Sequence, residues 1–333
     1  MTPCFVGADI AADTVTLVWQ TQRRQFSDPL VIDQTAAGFA HLRRQLRRQA
    51  TPEQTWVVME ATGSYWMALA YHLHQHGFVV SVVNPLHAHH FALAQGGRSK
   101  TDAIDARSLS ELGQVLQLPR WSPPPAICEQ LEQRLTERDQ LVQTRSRWKN
   151  QLRALRRRPE ADATLVARWQ QRLAALTTEI KALDAELKTL LLGAHEWHDS
   201  ARRLLQVKGF GLIAAAWLLV ATHNFAHCQT AEEVAAYAGL APHPHESGKS
   251  VRGKRQTGHG GHAALRRTLY MAAGSALQHN PPLRDFYQRL VARGKLKNVA
   301  RVAVARKLAV LGWAVVTKER DFDPNYRQSA QAA

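Results

Sequence analysis

The stretch FVGADIAADTVTLVW, residues 5–19, decides the fold of the N-terminal part of the chain. It holds two β-rich runs, Phe5–Ile10 and Thr14–Trp19, whose separation by a short turn predicts a β-hairpin. Outward from it, further runs predict strands at 29–32, 56–59 and 79–83 and helices at 36–49, 65–76 and 101–116. A strand hairpin followed by strand–helix alternation predicts an α/β domain with a mixed sheet covered by helices.

Beyond this domain, a proline-rich break at 121–125 precedes two long helical patterns. The first runs from Ile127 to Leu155 and is followed by the basic run Arg156-Arg157-Arg158. The second, from Leu165 to Leu190, repeats apolar residues at alternating spacings of four and three, which forms a heptad seam. The two patterns predict an antiparallel helical hairpin, whose seam closes either within one chain or between two copies.

The rest of the chain predicts helices around two unusual segments. Gly209-Phe210-Gly211 separates two apolar helical patterns, and residues 243–261 form a loop rich in Gly, Ser and His. Further helical patterns continue to Val316. We therefore predict a mainly α-helical C-terminal part.

Charge is distributed unevenly along the 333 residues, whose 43 Lys and Arg and 27 Asp and Glu give a net charge of +16. Residues 1–120 carry a net +1 and residues 121–246 a net +2, whereas residues 247–316 hold 14 basic residues against Asp285 alone. A block of this kind neutralises phosphates, so we predict a nucleic-acid partner. A membrane-surface helix is disfavoured because glycines interrupt the block.

Other features of composition exclude several classes of protein. Charged residues make up 21% and hydrophobic residues 45%, as in a globular chain of two or three domains. The sequence lacks an apolar run of about 18 residues and a secretory signal, so we expect neither a membrane span nor export. Cys4, Cys128 and Cys228 are isolated, which argues for a reducing compartment and against a disulfide framework or a zinc site.

Four acidic residues stand out in the N-terminal domain. Asp9 ends the first predicted strand, Glu60 follows the apolar run 57–59, and Asp102 and Asp105 share one face of a helix. Strand-end carboxylates facing helix-borne ones would hold two hard cations about 4 Å apart, a geometry that suits phosphodiester chemistry.

Plainer interpretations of these residues remain open. Taken alone, Asp102 could be an ordinary acid at the start of a helix, where the positive end of the helix dipole stabilises its charge. The hairpin 5–19 also resembles the first phosphate hairpin of sugar-kinase or actin-like ATPases. Those proteins need further glycine-rich turns, and Gly96-Gly97 is the only glycine pair in the first half of the chain.

The basic block begins at Ser247, a serine beside glycine and close to cations, which would attack a phosphorus centre if a neighbour accepted its proton. A plain loop serine is the alternative. Gly209 and Gly211 suit a helix–hairpin–helix whose backbone N–H groups bind phosphate, or else a simple turn. His259 and His262 flank two glycines, which disfavours a helical metal site.

Motifs in the right order along nearly the whole chain carry a resemblance. They are Gly7-Ala8-Asp9, Met59-Glu60-Ala61-Thr62-Gly63-Ser64-Tyr65, Lys100-Thr101-Asp102-Ala103-Ile104-Asp105-Ala106, Gly209-Phe210-Gly211, Tyr237-Ala238-Gly239-Leu240-Ala241-Pro242, Glu246-Ser247-Gly248, Arg252-Gly253-Lys254 and Arg266-Arg267-Thr268-Leu269-Tyr270. With them the chain resembles the DEDD-type transposases of the IS110 insertion-sequence family, which are related to pilin-gene-inverting recombinases. One departure is His259, where relatives often carry Lys.

The resemblance implies a RuvC-like, RNase H-type domain at 1–120, a coiled-coil hairpin at 121–195, a basic transposase domain at 196–320 and a tail at 321–333. The tetrad that binds Mg²⁺, as two ions or with Mn²⁺ as a substitute, would be Asp9, Glu60, Asp102 and Asp105. The serine nucleophile, which forms a 5′-phosphoserine, would be Ser247. The residues expected to contact nucleic acid are Gly209, Gly211, Lys249, Arg252, Lys254, Arg255, Arg266 and Arg267.

The partners that the resemblance implies are donor DNA, target DNA, an element-encoded guide RNA (bridge RNA) and further copies of the chain in a tetrameric dimer of dimers. We expect the protein in the cytoplasm of a prokaryotic cell, associated with the nucleoid. Two other hypotheses stay open: a structure-selective nuclease of the Holliday-junction type that uses water, and a nucleic-acid-binding scaffold without catalysis.

Overall fold

The structure, a computed structural model, describes residues 3–22, 25–96, 101–243, 246–247, 251–252, 256–257 and 260–323. The chain divides into two compact units, residues 1–123 and 124–333. The finer division into four parts stays a prediction.

The first unit is built on a mixed sheet. Its strands are β1 (Cys4–Ile10), β2 (Thr14–Gln22), β3 (Gln25–Phe26), β4 (Leu30–Asp33), β5 (Thr55–Glu60) and β6 (Val79–Val83). The order is β3-β2-β1-β5-β6, with β4 also paired to β2. β2 runs antiparallel to β1 and β4, whereas β1, β5 and β6 are parallel to one another. The predicted hairpin and mixed sheet are therefore confirmed.

Helices cover both faces of this sheet. They are α1 (Ala36–Leu46), α2 (Met67–Gln75), α3 (Pro85–Ala94) and α4 (Asp102–Val115). Leu42 of α1 and Leu69 of α2 pack with Ala8 and Met59 in a core on one face. Leu109 of α4 packs on the opposite face. The sequence predicted α1, α2 and α4 but missed α3, because no element was assigned between the strand at 79–83 and the helix at 101–116. In the structure Asn84 caps α3 and Pro85 is its first residue, a position that suits proline.

The second unit begins with the predicted antiparallel hairpin, formed by α5 (Ala126–Leu155) and α6 (Ala163–Leu191). Arg134 of α5 pairs with Glu186 of α6, and Arg138 pairs with Asp184. The seam predicted along α6 is buried from Leu176 to Leu187, whereas Leu190 is half-buried and Leu165, near its distal end, is exposed.

The other helices of the second unit are α7 (His198–Gln206), α8 (Leu212–Thr222), α9 (Ala231–Tyr237), α10 (Ala263–His279), α11 (Pro281–Ala292) and α12 (Lys297–Thr317). Helix α8 is buried throughout Ala214–Thr222 and forms the centre of a core that includes Leu131 and Leu135 of α5. The base of the hairpin therefore shares its core with the C-terminal helices. No helix in the described part of the chain combines the length and apolarity that a membrane crossing needs.

Between α9 and α10 the chain makes a short β-ribbon where the sequence predicted a loop. Its outer ladder pairs β8 (Glu246–Ser247) with β9 (Val251–Arg252), and its inner ladder pairs β7 (Pro242–His243) with β10 (Gln256–Thr257). Strands of two residues leave little periodicity in a sequence, which is why this ribbon was not predicted.

Candidate active site

Parallel pairing of β1 with β5 places two predicted acids side by side. Ala8 is opposite Met59 in the register, so Asp9 and Glu60 occupy the next positions on neighbouring strands. Side chains alternate along a strand, and Ala8 and Met59 enter the core beneath the sheet. Asp9 and Glu60 therefore belong to the other face, where α4 lies.

Glycine at position 7 lets α4 approach β1 closely. A Cβ on Gly7 would stand 1.8 Å from the Ala106 carbonyl oxygen and 2.5 Å from the Ser110 nitrogen. The Ser110 hydroxyl donates to the Phe5 carbonyl at 2.9 Å, and a Cβ on Gly113 would stand 2.8 Å from Val58. Small residues spaced four and three apart on α4 thus fix the helix across β1. The sequence analysis missed this role, although the spacing of Ala106, Ser110 and Gly113 is visible in it.

The first turn of α4 supplies the other two acids. Thr101 caps the helix by accepting a hydrogen bond from the Ile104 N–H at 3.3 Å, as predicted. Asp102 and Asp105 lie in that turn, one turn before the contact with Gly7. Both carboxylates also gain from the positive end of the helix dipole.

The four acids share one electrostatic environment. Burial raises the pKa of Asp9 most, and the charges of Asp105, Asp102 and Glu60 add to it, so that the pKa rises from 3.8 to about 6. The Thr62 hydroxyl donates to the Glu60 carboxylate at 2.8 Å. The structure thus brings together the four acids that the sequence selected, and their mutual repulsion favours a bound cation or a proton.

Carboxylate oxygens are the donors that hard divalent cations prefer, so the chemistry of these four side chains fits Mg²⁺. As they stand, no three His, Cys, Asp or Glu side chains in the described residues form a closed metal-binding group. A cation at these acids would therefore need a shift of side-chain rotamers or oxygen ligands from outside the protein, as Mg²⁺ commonly takes from water and phosphate.

The β-ribbon carries Ser247 in its outer ladder, where Ser247 is paired with Val251 and Glu246 with Arg252. The side chains of Ser247 and Arg252 lie outside the described residues, as do Lys249, Lys254, Arg255 and His259 entirely. The ribbon therefore places the backbone of Ser247 near its far end.

Two glycines, one before and one after the ribbon, lie against each other at its base. Gly239 and Gly261 have φ angles of +67° and +86°, values that glycine adopts readily. A Cβ on Gly261 would lie 2.6 Å from the Gly239 nitrogen and 2.7 Å from the Tyr237 carbonyl oxygen. The His262 N–H donates to the same Tyr237 oxygen at 2.8 Å. The backbone before β7 and the backbone after β10 are thus in direct contact at the base of the ribbon.

The predicted arginines of α10 both have partners inside the protein. Arg266 donates to the Gly260 carbonyl at 2.7 Å and so secures the ribbon base. Arg267 makes a short ion pair with Asp139 of α5. Any phosphate that Arg267 binds would share that guanidinium with Asp139.

His262 caps α10, a role that the sequence analysis missed. Its Nδ1 accepts from the Leu265 N–H at 3.2 Å, while its ring packs near Trp217 and Tyr237. Burial lowers the pKa of His262, which favours the neutral ring that this acceptor role requires.

Gly209 and Gly211 lie in the turn between α7 and α8. Gly209 has a φ of +121°, and a Cβ there would stand 2.7 Å from the Ala276 side chain. Gly211 caps α8, and a Cβ at Gly211 would meet open space. The turn therefore fits a helix–hairpin–helix shape, with the N-terminus of α8 accessible at Gly211.

Comparison with known families gives these sites a context. A transposase family model of the DEDD IS110 type matches residues 6–157, which contain the four acids. A second model, described as Transposase IS116/IS110/IS902 family, matches residues 201–288, which contain Gly209, Gly211 and Ser247. These matches define the class: the protein is a transposase, an enzyme that recombines DNA.

Individual relatives extend the match along the chain. This chain is 31% identical over 326 residues to the pilin gene-inverting protein of Moraxella bovis, and the match covers 97% of this chain and 98% of that protein. The same figures hold for the pilin gene-inverting protein of Moraxella lacunata. An uncharacterized protein of insertion element IS110 from Streptomyces coelicolor is 34% identical over 135 residues, 40% of this chain and 32% of that protein. The chain therefore belongs to the IS110 family of transposases.

Proposed function

We propose that this transposase cuts and rejoins DNA through a covalent 5′-phosphoserine at Ser247, with Mg²⁺ at the acidic tetrad and a guide RNA that selects the DNA. The observation that carries the proposal is the position of Asp9 and Glu60 at the ends of neighbouring parallel strands, beside the first turn of α4 with Asp102 and Asp105. Burial and the charges of these three carboxylates raise the pKa of Asp9 to about 6. Such a concentration of negative charge is typical of sites built for a cation or a proton transfer.

The first unit supports a RuvC-like, RNase H-type assignment. Its antiparallel hairpin, β1 and β2, adjoins the parallel strands β5 and β6, and α4 crosses β1 at Gly7. This arrangement puts acids from two strand ends and one helix start at the same edge of the sheet.

The roles of the tetrad follow from its chemistry. Asp9, Glu60, Asp102 and Asp105 would hold one or two Mg²⁺ ions, with Mn²⁺ as a substitute. When bound, such ions stabilise negative charge on the attacking and leaving oxygens of a phosphodiester. Because α4 is fixed on β1 through Ser110 and Gly113, the backbone that carries Asp102 and Asp105 would stay in place, and side-chain rotamers alone would adjust to the ions.

Ser247 would act as the nucleophile. Its Oγ attacks the scissile phosphorus, the Oγ–P bond forms, and the bond from phosphorus to the 3′ oxygen breaks. The serine proton goes to a base, and the departing 3′ oxygen takes up a proton to become a hydroxyl. Attack by another strand's 3′ hydroxyl on the phosphoserine reverses these steps and joins the strands.

Guidance and assembly belong to the same proposal and rest on the family resemblance. A guide RNA that pairs with donor and target DNA would supply sequence choice, since base pairing reads sequence while the protein holds the backbone. The basic block after Glu246 supports phosphate binding. We place the working complex, a dimer of dimers, at the nucleoid of a prokaryotic cell.

The experiment uses labelled donor and target DNA with the protein and the RNA that co-purifies with it, resolved on denaturing gels. With Mg²⁺ we expect a covalent protein–DNA adduct that is lost in Ser247→Ala and retained in the control Ser250→Ala. Asp9→Asn, Asp102→Asn and EDTA should each abolish cleavage. Full activity in EDTA would exclude the metal role.

Other outcomes of the same gels decide between the remaining hypotheses. Free DNA ends without an adduct would identify a nuclease that uses water. Intact DNA under every condition would indicate a scaffold that binds without cutting. Sequencing the co-purified RNA tests guidance separately, because a guide must contain segments complementary to the DNA on both sides of the joined strands.

A further inference from the structure

The helical hairpin has two ends of opposite charge. Its basal part, residues 126–143 and 179–191, holds four Lys or Arg against seven Asp or Glu. Its distal part, residues 144–178, holds nine Lys or Arg against two acids. The sum over the hairpin, a net +4, conceals this separation.

Two grooves between α5 and α6 show the same contrast. The basal groove, of about 440 Å³, is lined by Glu137, Glu179 and Glu186 around Arg134. The distal groove, of about 830 Å³, has five cations from α5 and from the turn that follows it, and no acid among the described residues that line it. Those cations are Arg145, Lys149, Arg153, Arg156 and Arg157.

Spacing aligns three of these cations along one face of α5. Arg145, Lys149 and Arg153 are each four residues apart, so they rise in steps of about 6 Å and span about 12 Å. Arg156 and Arg157 follow directly after Leu155, the last residue of α5. Over the span of the three helical cations a duplex presents roughly three or four phosphates on each strand.

The five distal cations are available to bind an external anion. In the basal part Arg134 and Arg138 pair with acids of α6, whereas none of the five distal cations forms an ion pair within the described chain. Lys149, Arg153, Arg156 and Arg157 are exposed. The edge-to-face contact of Trp148 with Trp169, at 5.6 Å between ring centroids, holds the two helices together beneath them. The groove is therefore a fixed row of free positive charges.

We propose that this distal groove binds the phosphate backbone of duplex DNA, at a surface separate in sequence from the basic block after Glu246. DNA is the partner because the enzyme recombines DNA and because a row of cations without acids neutralises phosphates without reading bases. The groove begins beyond Asp139, which pairs with Arg267, so DNA there would extend along the hairpin past α10. The proposal requires DNA binding alone and does not depend on the serine or metal roles.

The test compares two variants that each remove two exposed cations from the hairpin. Arg153→Gln/Arg157→Gln changes the groove, and Lys181→Gln/Lys188→Gln changes the basal part of α6. Duplex DNA binding is measured by fluorescence anisotropy at 50 to 200 mM salt, in EDTA and in a Ser247→Ala background, so that neither cleavage nor metal contributes. Circular dichroism and thermal unfolding check that both variants fold.

For the groove variant, the slope of log affinity against log salt should fall by about 2, since each lost phosphate contact lowers it by about 0.9. Raising the salt from 50 to 200 mM lowers the affinity of both proteins. The fold-loss should be roughly ten times smaller for the groove variant than for the parent protein. The basal variant should keep the parent slope. Equal slopes in the two variants would overturn the proposal, and so would a loss confined to a labelled RNA hairpin, which would make the groove an RNA site.

Discussion

A Cβ atom on Gly7 of β1 would lie 1.8 Å from the carbonyl oxygen of Ala106 on α4. This contact sets the distance between the sheet and the helix that carries Asp102 and Asp105. The position of half the acidic tetrad therefore depends on the absence of one side chain.

Gly7→Ala should displace α4 from β1. We expect a loss of about 2 kcal/mol or more in the free energy of unfolding, because the backbone atoms above Gly7 cannot move alone. DNA cleavage should fall about 100-fold, since displacements near 1 Å at a catalytic site have effects of that size. The control is Gly260→Ala, where a Cβ meets open space. Unchanged stability and cleavage in Gly7→Ala would contradict the packing described for α4.

Asp9 should make stability depend on pH in the absence of metal. Its pKa is raised from 3.8 to about 6, so protonated Asp9 favours the folded state below pH 3.8 and that contribution is lost as pH rises through 6. At pH 7.5 in EDTA, Asp9→Asn should raise the free energy of unfolding by about 1–2 kcal/mol, allowing for partial exposure. The gain should vanish near pH 4.

Thermal unfolding from pH 4 to 8, with and without Mg²⁺, measures this effect. Mg²⁺ should stabilise the parent protein and act less strongly as pH falls below 6, because protons compete for Asp9. It should stabilise Asp9→Asn much less, while the turn variant Asp13→Asn should behave like the parent. Equal stabilisation of all three proteins by Mg²⁺ would argue against metal binding at the tetrad.

Gly261→Ala should separate the two strands at the ribbon base. The new Cβ would lie within 2.7 Å of backbone atoms of Gly239 and Tyr237, at a φ of +86° that disfavours other residues. We expect strand joining to fall at least ten-fold while circular dichroism keeps the parent helix signal, because the core around α8 is untouched. Gly260→Ala is again the control, and normal joining by Gly261→Ala would mean that the ribbon base does not position Ser247.

Local patterns in the sequence predicted much of the first unit. The apolar run at 79–83 coincides with β6, and Thr101 is the N-cap of α4, because both signals depend on neighbouring residues alone. The meeting of Asp9 with Glu60 was also predicted, since parallel strands bring their carboxyl ends to one edge. Helix α3 was missed although Asn84 and Pro85 are a recognised helix start.

Features that depend on distant parts of the chain were not predicted. Arg267 pairs with Asp139, 128 positions away, and no local pattern indicates such a partner. The pairing of Glu246 with Arg252 joins two strands of two residues each, which are too short to show a strand periodicity. The positive charge of the distal hairpin was hidden because the acidic basal part and the acidic residues after the hairpin offset most of it in the sum for residues 121–246.

Identification of the residue that is joined to DNA would decide whether Ser247 is the nucleophile. The adduct formed with Mg²⁺ would be digested with protease and nuclease, and the peptides sequenced by mass spectrometry. We expect a nucleotide linked through its 5′ phosphate to Ser247, together with a free 3′ hydroxyl on the other side of the cut. Cleaved DNA with 5′ phosphates that carry no peptide, or an adduct on another residue, would contradict it.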